Sequence, residues 1–311
     1  ADHHQPFKIS LAQWSMHRAL RSGELDNLDW AKHTKENFGI EALEYVNQFF
    51  CVGDRRKDKF GLQPKPADYI AEMKKRTDDL GMTNVLVMCD GVGDLGNPDD
   101  ERRSNAIQGH YAWCDTANQL GCHAIRVNAR SSNTLSAEEQ KNLCVDGLRR
   151  LSEHAKTVGL SVIVENHGGL SSDGAWLASV MKEVGLENCG TLPDFGNFYL
   201  VKNRGNAEAY QKAKELYPDR NVDEDEKGLA YDRYQGIKDL MPYAKGVSAK
   251  SHDFDEDGNE VHTDFVQAMK IVRDSGYKGY VGVEYEGSAI GEVEGIQKTK
   301  DLLDRVIQAT A

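Results

Sequence analysis

Eight short β-rich runs recur along this chain of 311 residues, and their spacing constrains the fold more than any other feature. They are Phe7–Ser15, Ala42–Phe50, Thr83–Gly91, His123–Arg130, Ser161–Gly169, Cys189–Asn197, Lys245–Phe254 and Gly279–Gly287. Successive starts lie 35, 41, 40, 38, 28, 56 and 34 residues apart. Hairpins need only a few connecting residues, whereas such intervals hold a strand, a loop, a helix and a second loop. Apolar residues at three- and four-residue steps fill the gaps, as in Ile107, Tyr111, Cys114, Ala117 and in Leu148, Leu151, Ala155, Val158. Gly81, Gly121, Gly159, Gly185 and Gly276 each precede a strand, where a helix C-terminal glycine belongs. Eight βα units predict an α/β fold, a single (β/α)8 TIM barrel domain over residues 1–311. A doubly wound sheet is the rival, but no GxGxxG follows the first strand. The long sixth interval predicts a polar, charge-rich insertion near 203–232, over the barrel mouth.

Composition narrows the partners. No apolar run approaches the roughly 20 residues of a membrane span, so no membrane partner is expected. With 38 basic against 50 acidic residues the net charge is -12, which repels nucleic-acid phosphates. The six cysteines, Cys51, Cys89, Cys114, Cys122, Cys144 and Cys189, form no CxxC pair and read as small buried hydrophobes. The opening ADHHQPF has neither Met nor an apolar signal core. A leader removed after a small residue would explain it, which prefers an exported, periplasmic protein over a cytoplasmic one. A homo-oligomer is left open.

In such barrels the active site lies at the C-terminal ends of the strands. Here strand five ends in Glu165-Asn166-His167, strand six in Asp194-Phe195-Gly196-Asn197 and strand eight in Glu284-Tyr285-Glu286. Strand seven carries Ser248, Lys250 and His252, strand four Arg126, Asn128 and Arg130, and strand one ends at Gln13, Trp14 and Ser15 before His17. Carboxylates beside apolar sequence are costly unless paired or bound to a cation. One divalent metal, Mn, Mg or Co, or Zn if an imidazole joins, is the simplest partner for Glu165, Asp194 and Glu284. The alternative is that Glu165 and Asp194 pair with Lys250 and Arg126 inside the barrel; the pattern leaves both open. Arg126 and Asn128 are expected to bind substrate, because polar side chains so near an apolar strand need partners. Gln13 and His17 are further substrate-binding candidates at the end of strand one, although His17 could equally cap the next helix. Trp14 suits either a sugar-stacking wall or the core. Glu44, His110 and Trp113 read as structural.

The segments ISLAQWS, ALEYVNQFF, AIRVNA, VIVENHGG, TLPDFGN, GVSAKSHDFD and GVEYEG resemble the xylose-isomerase-like barrel superfamily over essentially the whole chain. That superfamily holds sugar isomerases, ketose 3-epimerases, inosose dehydratases and endonuclease-IV-type enzymes. The resemblance implies a metal set of Glu, Asp, His and Glu from strands five to eight, matched here by Glu165, Asp194 and Glu284. Ser248 stands where the superfamily has its histidine, and a hydroxyl is a poorer ligand. His252 and His167 are the substitutes within reach, His167 also as a substrate contact. Lys250 faces the same way as Ser248, to neutralise a carboxylate or bind a substrate oxygen.

The resemblance implies proton transfer next to a sugar carbonyl through an enediolate, with Glu165 and Glu284 as acid and base. Expulsion of a β-substituent from the same intermediate would make the enzyme a keto-glycoside lyase or dehydratase. A non-catalytic sugar-binding barrel is the third reading. DNA repair is disfavoured: strand two ends in Asn47-Gln48-Phe49-Phe50 and strand three in Cys89-Asp90, without the histidines of endonuclease-IV-type sites. Sugar phosphates are disfavoured too, since no glycine-rich cradle follows strands seven and eight beyond Gly287-Ser288.

Overall fold

In the computed structural model, which describes residues 7–217 and 220–310, all eight runs contain short parallel strands. They are β1 (Lys8–Ala12), β2 (Ala42–Val46), β3 (Thr83–Met88), β4 (Ala124–Val127), β5 (Ser161–Glu165), β6 (Cys189–Leu192), β7 (Val247–Ser251) and β8 (Tyr280–Tyr285). The helices that follow them are α1 (Trp30–Phe38), α2 (Ala67–Asp79), α3 (Asp100–Leu120), α4 (Ala137–Thr157), α5 (Gly174–Val184), α6 (Arg233–Leu240), α7 (Phe265–Asp274) and α8 (Glu292–Ala309). Residues 1–6, on which the expectation of export rests, lie outside the described residues, as do 218–219 of the charged insertion. Among the described residues no helix is long and apolar enough to cross a membrane.

The sheet runs β7-β8-β1-β2-β3-β4-β5-β6. Its two edges meet through single bridges, Thr191 to Ala244 and Asp194 to Ser248. Three backbone bonds close the seam: Lys245 N–H to Thr191 O (2.9 Å), Ser248 N–H to Pro193 O (2.9 Å) and Phe195 N–H to Ser248 O (3.0 Å). The result is a (β/α)8 TIM barrel whose seam passes through the candidate site.

Local rules explain the elements. Helices α3 and α4 start at Asp99 and Ser136, whose side chains accept the third backbone N–H of each helix. Helices α3 and α5 stop at Gly121 and Gly185, at φ 81° and 63°, a left-handed turn that side chains with Cβ resist. The predicted strands are longer than the observed ones because their C-terminal residues leave the sheet: Gln13–Met16 and Asn47–Phe49 form 3-10 turns. Alternation along each strand then sorts the barrel interior. Ala124, Ile163 and Leu192 fill its lower layers, and the next inward positions are Arg126, Glu165 and Asp194.

The charged insertion is wider than the sequence suggests. Tyr199–Lys202, Val222–Asp225 and Gly228–Tyr231 make an antiparallel sheet accompanied by the helix Ala207–Lys214. It packs on the Gly169–Ser172 turn after β5, at the mouth end of the barrel.

A second carboxylate lies deeper. Glu44 of β2 is buried, receives a hydrogen bond from Ser10 and occupies the space that a Cβ at Gly282 would need. Burial pushes its pKa up to about 7, with Glu284 adding to the rise against the Ser10 bond. Ionising it therefore costs stability above pH 7, and the cost vanishes below the unfolded pKa near 4.5. Two to three pH units correspond to about 3 kcal/mol. Between pH 5 and pH 8 the wild-type chain should lose about that much in urea unfolding relative to Glu44→Gln. Parallel pH profiles for the two proteins would refute the assignment.

Candidate functional site

The C-terminal ends of the strands open into a cavity of about 620 Å³. Glu165, Glu284, Glu286, Arg126, Asn128, His167 and Trp14 all line it. Glu165 and Glu284 line it, Asp194 lies buried beneath without contributing to the lining, and each of the three places one oxygen within 4.8 Å of the other two.

Asp194 is fixed by its own turn. Its Oδ1 accepts the N–H groups of Gly196 (2.8 Å) and Asn197 (2.9 Å). Asn166, next to Glu165, accepts the Asp194 N–H (2.7 Å) and donates to the Asp194 and Asn197 carbonyls. The ENHGG and PDFGN segments thus interlock, and one amide sets the relative position of two carboxylates. Gly196 is required for packing, because an added Cβ would lie 2.9 Å from Lys250 Cγ.

Two cations reach this triad. Lys250 of β7 pairs with Glu284, with Glu286 (2.5 Å) and, at 3.4 Å, with Asp194 Oδ2. Arg126 Nε stands 3.4 Å from Glu165 Oε2, while its Nη1 donates to Asp90 at 2.9 Å. Two positive side chains therefore face five carboxylates. Burial raises the pKa of Glu165, reinforced by Glu284 and Asp194 against Arg126, and burial likewise raises that of Glu284. For Lys250, burial is outweighed by the surrounding carboxylates, which hold it protonated. Asp90 stays ionised because Arg126 outweighs its burial.

The sequence left metal and ion pairs open, and the geometry contains the elements of both. Lys250 and Arg126 do pair with Asp194 and Glu165, yet they leave acceptors over. Glu284 Oε2 and Ser248 Oγ are buried without a hydrogen-bond partner among the described residues, and Asp194 Oδ2 has no hydrogen bond, only the Lys250 ammonium at 3.4 Å. Oxygen-only donors with unused lone pairs and excess negative charge fit a hard divalent cation.

Other expectations need correction. Gln13 is buried under the site: its Oε1 accepts the Val46 N–H (2.8 Å) and its Nε2 donates to Asn27 (2.6 Å). This joins β1 to β2 and leaves no group for a substrate. His17 does not line the cavity; its Nδ1 lies 2.8 Å from Trp14 O and its ring stacks on Trp14 at 4.5 Å. Ser248 is buried at the seam beside Asp194 and contributes no cavity surface. His252 sits outside, with Nε2 3.9 Å from Glu286, too far from the triad to replace the missing imidazole. Arg126 and Asn128 do line the cavity; both donate to Asp90, whose Oδ1 accepts Asn128 Nδ2 (3.0 Å), while Asn128 Oδ1 has no hydrogen-bond partner among the described residues. The insertion flanks the mouth, but none of the described residues of 199–232 lines the cavity.

Sequence reading missed Asp90, although Arg126 and Asn128 two residues apart on one strand called for an anion between them. It also missed His110, which helical spacing disguises as packing. His110 lines the cavity; its Nδ1 lies 2.6 Å from Ala106 O, which makes Nδ1–H the donor and turns a lone-pair Nε2 to the site. Burial lowers His110 to about 4, and burial with Arg126 lowers His167 to about 4, so both are neutral imidazoles.

Residues 36–306 match the family model described as the xylose isomerase-like TIM barrel. The chain belongs to this family. Among solved structures, a D-tagatose 3-epimerase-like protein aligns over 98% of both chains at 14% identity, with a TM-score of 0.67. The 3-keto-D-glucoside 4-epimerase of E. coli covers 96% of this chain and 99% of its own at 16% identity, TM-score 0.64. The IOLI protein, solved with a zinc atom bound, covers 98% and 99% at 15% identity, TM-score 0.65. At these identities the likeness is one of fold. A C-glycoside deglycosidase alpha subunit from Arthrobacter globiformis is 36% identical over 76 residues, and the match spans 22% of either chain.

Removing Lys250 should expose the charge imbalance. In EDTA at pH 7, Lys250→Met should lose about 3–5 kcal/mol, the usual cost of orphaning buried charges. Added Mn should then raise the melting temperature of the variant more than that of the wild type. Equal melting temperatures in EDTA would show that Lys250 does not neutralise the triad.

Proposed function

We propose that this chain is a sugar isomerase or epimerase that moves a proton on the carbon next to a carbonyl. The observation that carries the reading is the group of three buried carboxylates, of which Glu165 and Glu284 line an open polar cavity and Asp194 and Glu284 each keep one oxygen without a hydrogen bond among the described residues. Glu165, Asp194 and Glu284 would hold one divalent cation, with Ser248 Oγ near the seam as a weak fourth donor. Such an ion polarises a carbonyl and acidifies the adjacent C–H.

The protein's own groups supply the rest. Burial raises the pKa of both Glu165 and Glu284, and both line the cavity, so that each would take or return a proton. They come from different strands, β5 and β8, on either side of the β6–β7 seam, so each would approach the bound sugar along its own path and could serve as acid or base. Asp194 would only hold the cation. Lys250, buried outside the cavity lining and held by Glu284, Glu286 and Asp194, would neutralise the carboxylates and not meet the substrate, and neutral His167 and His110 would bind hydroxyls. Trp14 would give the sugar ring an apolar wall.

A second reading is favoured by the 76-residue match to the deglycosidase subunit. The same carbanion, formed next to the ketone of a 3-keto-glycoside, would expel the β-substituent and release an aglycone. Incubation with ketoses and 3-keto-glycosides in D2O separates the readings. Deuterium uptake without fragment release supports isomerisation, release supports elimination, and neither result leaves a sugar-binding barrel.

Replacing Glu165 or Glu284 by Gln should lower turnover by roughly 100- to 10,000-fold. Replacing Asp194 by Asn should lower metal affinity instead, so that excess metal restores part of the rate. Near-normal turnover of Glu165→Gln under saturating metal would overturn these roles.

A further inference from the structure

We propose that the substrate carries an anionic group, a carboxylate or, against the expectation drawn from the missing glycine-rich cradle, a phosphate ester, seated by Arg55, Arg56 and Arg130 on the cavity wall facing β6 and β7. This deepens the reading above and rests on it only for which end of the sugar reacts. Arg55 and Arg56 follow β2, Arg130 follows β4, and all three line the cavity. Strand order sets this β2–β4 side across the barrel from Asp194 and Lys250. A single unpaired arginine on an open surface is ordinary; three on one concave wall of a protein with net charge -12 are not.

None of the three has a carboxylate oxygen within 4.0 Å among the described residues, although acids surround them. Asp94 lines the same cavity near Arg130 but stays more than 4.0 Å from it, and the other acids are engaged elsewhere. Asp54 Oδ1 accepts the N–H groups of Arg56 and Lys57, and Asp58 Oδ2 accepts that of Asp54 (2.6 Å). Asp90 is held by Arg126 and Asn128. The guanidiniums therefore keep their donors for a ligand, and planar forked donors match carboxylate and phosphate oxygens.

The segment carrying Arg55 and Arg56 is also preset. It leaves through the short pair Cys51–Val52 and Gln63–Pro64. Leu62 N–H donates to Gly91 O (2.9 Å), Trp113 Nε1 donates to Leu62 O (2.9 Å), and Gln63 Nε2 ties Phe60 O to Gly109 O. Gly61, at φ 64°, packs so tightly on Gly91 and Val92 that a Cβ would collide with backbone. Gly91 in turn lets the Arg55 side chain lie across it, since a Cβ there would meet Arg55 Nε at 3.2 Å.

Calorimetric titration of the full chain with D-glucuronate, D-glucose 6-phosphate and D-glucose tests this without turnover, so a failed D2O experiment leaves the result readable. At least one anionic sugar should bind tenfold or more tighter than glucose in 50 mM salt. The preference should shrink in 500 mM salt, and it should collapse in Arg55→Gln/Arg130→Gln. Which anionic probe binds tighter tells a carboxylate site from a phosphate site. Glucose binding as tightly as both anions, no binding of either anion, or a preference that survives in the double variant would each overturn the proposal.

Discussion

Confining the carboxylates of Glu165, Asp194 and Glu284 to the end of a closed parallel barrel is the constraint on which the site depends. Ionised groups in such a place are costly unless something cationic shares the space. Lys250 and Arg126 supply part of it from neighbouring strands, and both are themselves buried. Glu286 and Asp90 then hold the outer ends of these cations. The charge ladder therefore runs from Asp90 through Arg126 to Glu165, and from Glu286 through Lys250 to Glu284 and Asp194. Its balance remains negative, which is what gives a divalent cation a reason to bind.

The seam between β6 and β7 is the second requirement. The eight strands close through two bridges, Thr191 to Ala244 and Asp194 to Ser248, the second just beyond the last residue of β6, where Asn166 clamps the turn. The bonds that close the barrel thus also aim Asp194 at its partners. A change at Asn166 would act on fold and site together. Ser248, placed at this bridge, gains its position from the seam and leaves its hydroxyl unpartnered.

Much of this was legible in the sequence. Strand spacing gave the barrel, and the strand ends Glu165, Asp194 and Glu284 did converge. The errors have a common origin. Gln13 and His17 follow the end of β1, but the chain turns into a 3-10 helix there and sends them to other duties. Strand parity cannot foresee where a strand stops. Arg126 and Asn128 were recognised as needing partners, yet the partner Asp90 comes from another strand and leaves no periodic trace. Arg55 and Arg56 ride on a local hairpin, whose placement depends on glycine contacts at Gly61 and Gly91 that composition does not reveal.

Anomalous diffraction from crystals soaked in Mn tests the central claim most directly. The account predicts one strong peak with oxygens of Glu165, Asp194 and Glu284 about 2.0–2.3 Å away, and Lys250 turned from Asp194 toward Glu286. A triad that stays bound to Lys250 with no peak, or a peak held by His252 and His262 instead, would contradict it.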